Sequence, residues 1–149
     1  MKSKQSHASI LREFDRSLPM TLLKARAAVM RKFMPSLREH ALSAQQWRVL
    51  RALNEVKSRD ASEIADRCAI LMPSLSRILR NLENRKLIRR KSCPDDQRRS
   101  LISITAKGRK LVERIAPVSE ERYEEIARRF GEKNLADLYD KLAQLIECL

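Results

Sequence analysis

Residues 88–105, IRRKSCPDDQRRSLISIT, decide the fold. Two short runs containing β-branched residues flank a hydrophilic tip of two aspartates, a glutamine and two arginines, the pattern of a β-hairpin. Arg89, Arg90 and Lys91 make the first arm basic, and Arg98 and Arg99 add two cations beside the tip. Asp96 stands two residues before Arg98 and is placed to brace it, which leaves Arg99 and the 89–91 run uncompensated. A braced cation at the end of a projecting hairpin suits the narrow minor groove of DNA, where the negative potential is strongest. Edge strands also carry charge simply to block aggregation, so the hairpin alone leaves both readings open.

Upstream, Asp60 precedes Glu63 by three residues, the spacing at which cap and third-position side chains satisfy each other's free amides, and a short helix starts there. Pro73 then opens a second helix running to about Arg85, because a missing amide proton costs nothing in a first turn. Its Leu75, Ile78, Leu79 and Leu82 follow the i, i+3, i+4, i+7 rule and form one apolar stripe, while Arg77, Arg80, Asn81 and Asn84 take the opposite face. Two short helices followed by a basic hairpin make a winged helix-turn-helix, whose second helix enters the major groove. Arg77 and Arg80 could equally be a solvated face. Ser74 and Ser76 beside them, and the basic strand that follows, favour contact with phosphates and base edges.

Charge points the same way. The chain of 149 residues has 32 Lys and Arg against 19 Asp and Glu, a formal charge of +13, which suits a polyanion such as nucleic acid or an anionic membrane surface. Between Arg77 and Lys110 there are 12 basic and three acidic residues, so that segment supplies +9 of the total. No run approaches the length of a membrane span and no leader pattern is seen at the start, so a cytoplasmic protein without a membrane role is expected. Cys68, Cys93 and Cys148 lack metal-ligand spacing, and neither a zinc site nor a disulfide framework is indicated. No cofactor is expected.

The flanks are helical. Leu22, Leu23, Ala27, Met30 and Phe33 give a long first helix from Leu18 to about His40, with a kink or irregularity at Pro35; Ser43 caps a second helix carrying Trp47, Val49, Leu50 and Leu53. Thr105 caps a long helix to Phe130, Gly131 stops it, and Leu135, Leu138, Leu142, Leu145 and Ile146 mark a last one. Lys57–Arg59 read as a turn. The fold class is mainly α with a small β-wing: about 43–105 is the winged part, and 13–40 and 106–149 carry more apolar surface than one small winged domain can cover.

The run Asp96-Gln97-Arg98, the strand Ser100 to Ile104, and Thr105-Ala106-Lys107-Gly108 resemble the multiple antibiotic resistance regulator (MarR) family, and the resemblance extends over residues 17–147. LLKARAAVMRKFMPSLREHALSAQQWRVLRAL and CAILMPSLSRIL are most similar to its subgroup of repressors controlling homoprotocatechuate degradation. The resemblance implies one domain, a homodimer joined by its first and last helices, and a palindromic double-stranded operator. It also implies a small aromatic acid or thioester as effector. The family usually has Gly before the apolar pair that opens the wing; Lys86 stands there, which predicts a looser turn.

Arg26, Met30, Trp47 and Arg48 lie in segments that line the family's effector crevice. Trp47 also serves as core filler. Arg26, among apolar residues, suits a carboxylate because a guanidinium matches its two oxygens; it could equally pair with a partner's glutamate. The competing expectations are a basic RNA- or ribosome-associated protein acting by charge, and a redox-sensing repressor using Cys93, whose cationic neighbours favour a thiolate. No nucleophile with a base, paired-carboxylate site or phosphate loop suggests an enzyme.

Overall fold

A computed structural model describes residues 10–149, with Gln97 described by its backbone alone. After a single 3-10 turn at Phe14–Arg16 come α1 (Leu18–Glu39), α2 (Ala44–Asn54), β1 (Arg59–Asp60), α3 (Ala61–Cys68) and α4 (Met72–Asn84). The wing strands β2 (Ile88–Cys93) and β3 (Asp96–Ile104) follow, then α5 (Ala106–Phe130) and α6 (Glu132–Cys148). The chain divides into two compact units, Met1–Lys32 and Phe33–Leu149.

In the first unit no described residue is buried. Its local ties are Lys24 Nζ, which donates to Asp15 Oδ1 at 2.6 Å, and Thr21 Oγ1, which donates to the Ser17 carbonyl at 2.9 Å. Helix α1 continues through Pro35, where an irregularity was expected, to Glu39.

The second unit holds the core. Leu37, Val49, Leu50, Leu53, Ile64, Leu75, Leu79, Leu82, Ile102 and Ile115 are almost wholly excluded from solvent. All four apolar residues of the α4 stripe are among the buried ones, as their spacing predicts. The sheet is antiparallel in the order β1-β3-β2, with Ile88 opposite Ile104 and a register shift at Ser92/Cys93 near the tip. Strand β1, where a turn was expected, is only Arg59–Asp60 and pairs with Ile102 and Leu101. Arg and Asp carry no strand propensity, so nothing local announces it.

Helix ends decide how these elements meet. Ser43, Asp60 and Thr105 all cap as their spacing predicts, the first two in reciprocal capping boxes with Gln46 and Glu63. At the other ends Ala41, Ala69 and Lys86 take the left-handed conformation, with φ of 52°, 50° and 60°. After α4 the Lys86 amide donates to Glu83 O at 2.9 Å and the Leu87 amide to Leu82 O at 3.0 Å, the paired bonds of a Schellman turn. The looser turn expected from Lys86 is therefore corrected: its backbone takes on the strain that glycine would avoid.

Gly108 is required by contact. A Cβ there would stand 2.2 Å from the Leu87 carbonyl oxygen and 2.7 Å from Ile104 Cγ1. Thr105 completes the joint: its Oγ1 donates to Lys86 O at 2.7 Å and accepts from the Gly108 amide at 3.1 Å. The Thr-x-x-Gly motif thus welds the turn at the end of α4 to the start of α5.

Candidate nucleic-acid interface and ligand slot

Helices α3 and α4 are joined by Ala69–Leu71, and α4 turns its stripe inward, leaving Ser74, Ser76, Arg77, Arg80 and Asn81 exposed. Ser76 Oγ donates to the Met72 carbonyl at 3.0 Å, one turn back. Asn81 Oδ1 accepts from Gln46 Nε2 at 2.9 Å, and the Gln46 Oε1 accepts from the Ser43 amide at 2.9 Å. One glutamine therefore closes the α2 cap and steadies a residue of the recognition helix. Sequence reasoning missed Gln46 in both roles, although it stands three residues after Ser43, the spacing of a capping box.

The wing is wired differently from the expectation. Asp96 Oδ1 accepts from the Arg98 backbone amide at 2.9 Å, so the brace organises the turn and leaves the Arg98 guanidinium outside. Arg99, expected to be uncompensated, instead donates to Asp60 Oδ2. Arg90 is likewise paired, its Nε lying 3.2 Å from Glu83 Oε2. The physical reason is β1 and the C-terminal end of α4, which bring carboxylates alongside strands that look bare in sequence. Among the described residues Arg77, Arg80, Arg89, Lys91 and Arg98 are exposed and have no ion-pair partner.

Asp60 does double duty. Its Oδ1 accepts from the Glu63 amide at 2.9 Å while Oδ2 receives Arg99. The Glu63 amide and then the Arg99 guanidinium hold its carboxyl below the ordinary carboxylate range.

A second feature lies beside Trp47. Phe33, Ser36, Leu37, Trp47, Ile115, Val118, Ser119 and Arg122 line a slot whose cavity volume is about 10 Å³, space for one water at most. The Phe33 ring meets Tyr123 at 4.9 Å between centroids, and the Tyr123 hydroxyl accepts from Arg51 at 3.4 Å. Arg51 follows Trp47 by four residues and shares its helix face. The slot thus has aromatic walls in Phe33 and Trp47 and one guanidinium in its lining, Arg122; Arg51 stands outside the lining and connects to it through Tyr123, whose ring meets Phe33. Neither guanidinium was expected here, since Arg122 and Tyr123, the partner of Arg51, lie on α5, more than 65 residues along the chain from α2.

Trp47 is a core residue at 8 % exposure and also a wall of the slot. Arg48 is not among the lining residues; it is half-buried and donates to the Cys68 carbonyl at 2.6 Å, tying α2 to the end of α3. Arg26 is exposed and Met30 half-buried on α1 within the first unit. Cys68 is buried, which pushes its thiol up, while Cys93 is half-buried. No helix among the described residues is long and apolar enough to cross a membrane.

Comparison with known proteins agrees with this architecture. The MarR family model matches residues 41–99, the winged part. The HTH-type transcriptional regulator FarR of Neisseria gonorrhoeae is 37 % identical over 145 residues, covering 97 % of this chain and 94 % of that protein. The homoprotocatechuate degradative operon repressor of Escherichia coli is 38 % identical over 130 residues, covering 87 % and 88 %. The crystal structure of NadR in complex with 4-hydroxyphenylacetate matches with a TM-score of 0.78 at 37 % identity, covering 91 % of this chain and 96 % of that one. With its recognition helix, basic wing and this similarity along nearly its full length, the chain belongs to the MarR family of winged-helix transcriptional regulators.

Proposed function

We propose that the protein is a homodimeric repressor that holds a palindromic operator and is released from it by a small aromatic acid. The observation that carries DNA readout is the polar face of α4, Ser74, Arg77 and Arg80, beside the exposed cations of the wing. Arg77 and Arg80 address base edges, Arg89 and Lys91 hold phosphates, and Arg98 reaches into the minor groove. Arg99 supports the wing through Asp60.

Dimerisation is supported by α6, a 17-residue helix without one buried residue. A helix of that length gains little stability by itself in water and needs its apolar face covered. Leu138, Tyr139 and Ile146 on α6, and Leu22, Leu23 and Val29 on α1, are exposed. A second copy of the chain covers such faces.

The effector belongs in the slot beside Trp47, with its ring against Phe33 and Trp47 and its carboxylate on Arg51, Arg122 supporting. This moves the carboxylate from Arg26, the first choice from sequence, to cations that the second unit itself brings to an aromatic wall. The slot is too small for a ring as it stands, so binding displaces side chains. Release then requires that the opened form disfavour the operator, and the difference in affinity for the two forms limits the shift. NadR, bound to 4-hydroxyphenylacetate, supports an acid of this class.

Titrating 4-hydroxyphenylacetate into the operator complex tests this, with Trp47 fluorescence reporting binding. Arg51→Ala should leave operator affinity intact and raise the concentration needed for release tenfold or more, since a hydrogen bond to a charged group contributes about 1.5–3 kcal/mol. Unchanged release in Arg51→Ala, with loss in Arg26→Ala, would return the carboxylate to α1.

A further inference from the structure

We propose that Leu71, with Met72 beside it, reads the C5-methyl group of thymine in the major groove, an inference that rests on the DNA-binding role proposed for this chain. Leu71 is 80 % exposed and Met72 45 %, although their neighbours Ile70 and Leu75 are buried. Leu71 is the N-cap of α4, and its side chain makes no cap hydrogen bond; only its carbonyl serves, accepting from the Leu75 amide at 2.9 Å. Helices α2, α3 and α5 are capped by the side chains of Ser43, Asp60 and Thr105. At the recognition helix the chain therefore forgoes the stabilisation of a polar cap and holds a large apolar side chain in water. Neither helix nor core gains from it.

The surroundings name the occupant. From Arg67 to Leu82 there is no carboxylate, and Arg77 and Arg80 are exposed on the same helix. An apolar tip among uncompensated cations suits a polyanion that presents methyl groups, and disfavours a cationic protein surface. In the major groove thymine alone among the four bases carries a methyl group, and apolar side chains recognise it by contact. Helices of this motif present their N-terminal residues to base edges, which is where Leu71 and Met72 stand. The polar face of α4 reads hydrogen-bonding edges, and this apolar end reads the group that makes no hydrogen bond.

The experiment uses the full chain and duplexes selected from a random pool for tight binding. Each thymine of the selected palindrome is replaced, symmetrically in both half-sites, by deoxyuridine, which removes the methyl group and leaves base pairing unchanged. At one or two positions the parent protein should lose about three- to fivefold in affinity per half-site, the worth of one buried methyl. For Leu71→Ala, which alters an exposed side chain, thymine and deoxyuridine should bind within twofold of each other at those positions. Circular dichroism of the variant checks that its helices are retained, and Met72→Ala serves as the second variant. Equal binding of thymine and deoxyuridine duplexes by the parent overturns the inference, as does undiminished discrimination in both variants or a selected site without thymine. Failure to select any site would overturn the DNA-binding role itself.

Discussion

The Arg99 guanidinium on β3 donates to the carboxylate of Asp60, the residue that caps α3, so the wing is fastened to the start of the helix-turn-helix. This joint carries a pH dependence. Because the Asp60 carboxyl titrates below its ordinary value of 3.8 when folded, its contribution is fully present above that value and disappears as pH falls through the lowered one. Asparagine caps equally well and cannot ionise. The stability of Asp60→Asn, followed by urea unfolding, should lie below that of the parent at neutral pH, and the gap should narrow as pH falls below 3.8. A constant gap would show that the ion pair and the charged cap contribute nothing.

Gly108 tolerates no side chain where α5 starts. With a Cβ 2.2 Å from the Leu87 oxygen, Gly108→Ala must push the wing strand or the helix aside, and overpacking of this kind costs about 1–3 kcal/mol or more. Thermal unfolding should show a fall of several degrees, roughly 2–4 °C for each kcal/mol in a chain of this size.

Lys86 gives the opposite result. A left-handed residue other than glycine is strained by about 1–2 kcal/mol, so Lys86→Gly should raise stability, by roughly 0.5–1 kcal/mol once the added freedom of the unfolded chain is subtracted. Unfolding midpoints compare the two directly. An unchanged or lowered midpoint would mean that the Lys86 side chain contributes more than its backbone strain costs.

Readout and charge separate by salt. Arg77→Ala should relax preference at particular operator positions by about 1–3 kcal/mol, whereas Lys91→Ala should weaken all duplexes alike and lower the salt slope by about one. Binding isotherms on selected and random duplexes at several salt concentrations resolve both, and equal losses for Arg77→Ala on the two duplexes would remove it from base reading.

What sequence displayed and what it concealed divide by distance along the chain. The caps at Ser43, Asp60 and Thr105, the α4 stripe and the Gly131 stop are local, with cause and effect within a few residues. Arg99 with Asp60, Gln46 with Asn81 and Arg51 with Tyr123 lie 39, 35 and 72 residues apart, and no periodicity reports such pairs. The bare look of Arg99 in sequence came from this blindness, whereas Arg90 is paired with Glu83 only seven residues before it, across the turn from α4 into β2. Lys86 misled for another reason: glycine is the usual sign of a left-handed turn, and here lysine accepts the strain. Leu71 was legible as an apolar residue before Pro73, but its exposure emerges only once Ile70 and Leu75 fill the core on either side.

The central claim is that two copies of this chain read one palindrome, and analytical ultracentrifugation of the protein with a labelled selected duplex tests it most directly. The account predicts two chains per duplex, recognition helices one DNA turn apart at about 34–36 Å, and affinity at physiological salt at least about a thousandfold above that for a scrambled duplex of equal length. A single chain per duplex, or equal affinity for the selected and scrambled sequences, would contradict it and leave a basic protein that binds nucleic acid by charge.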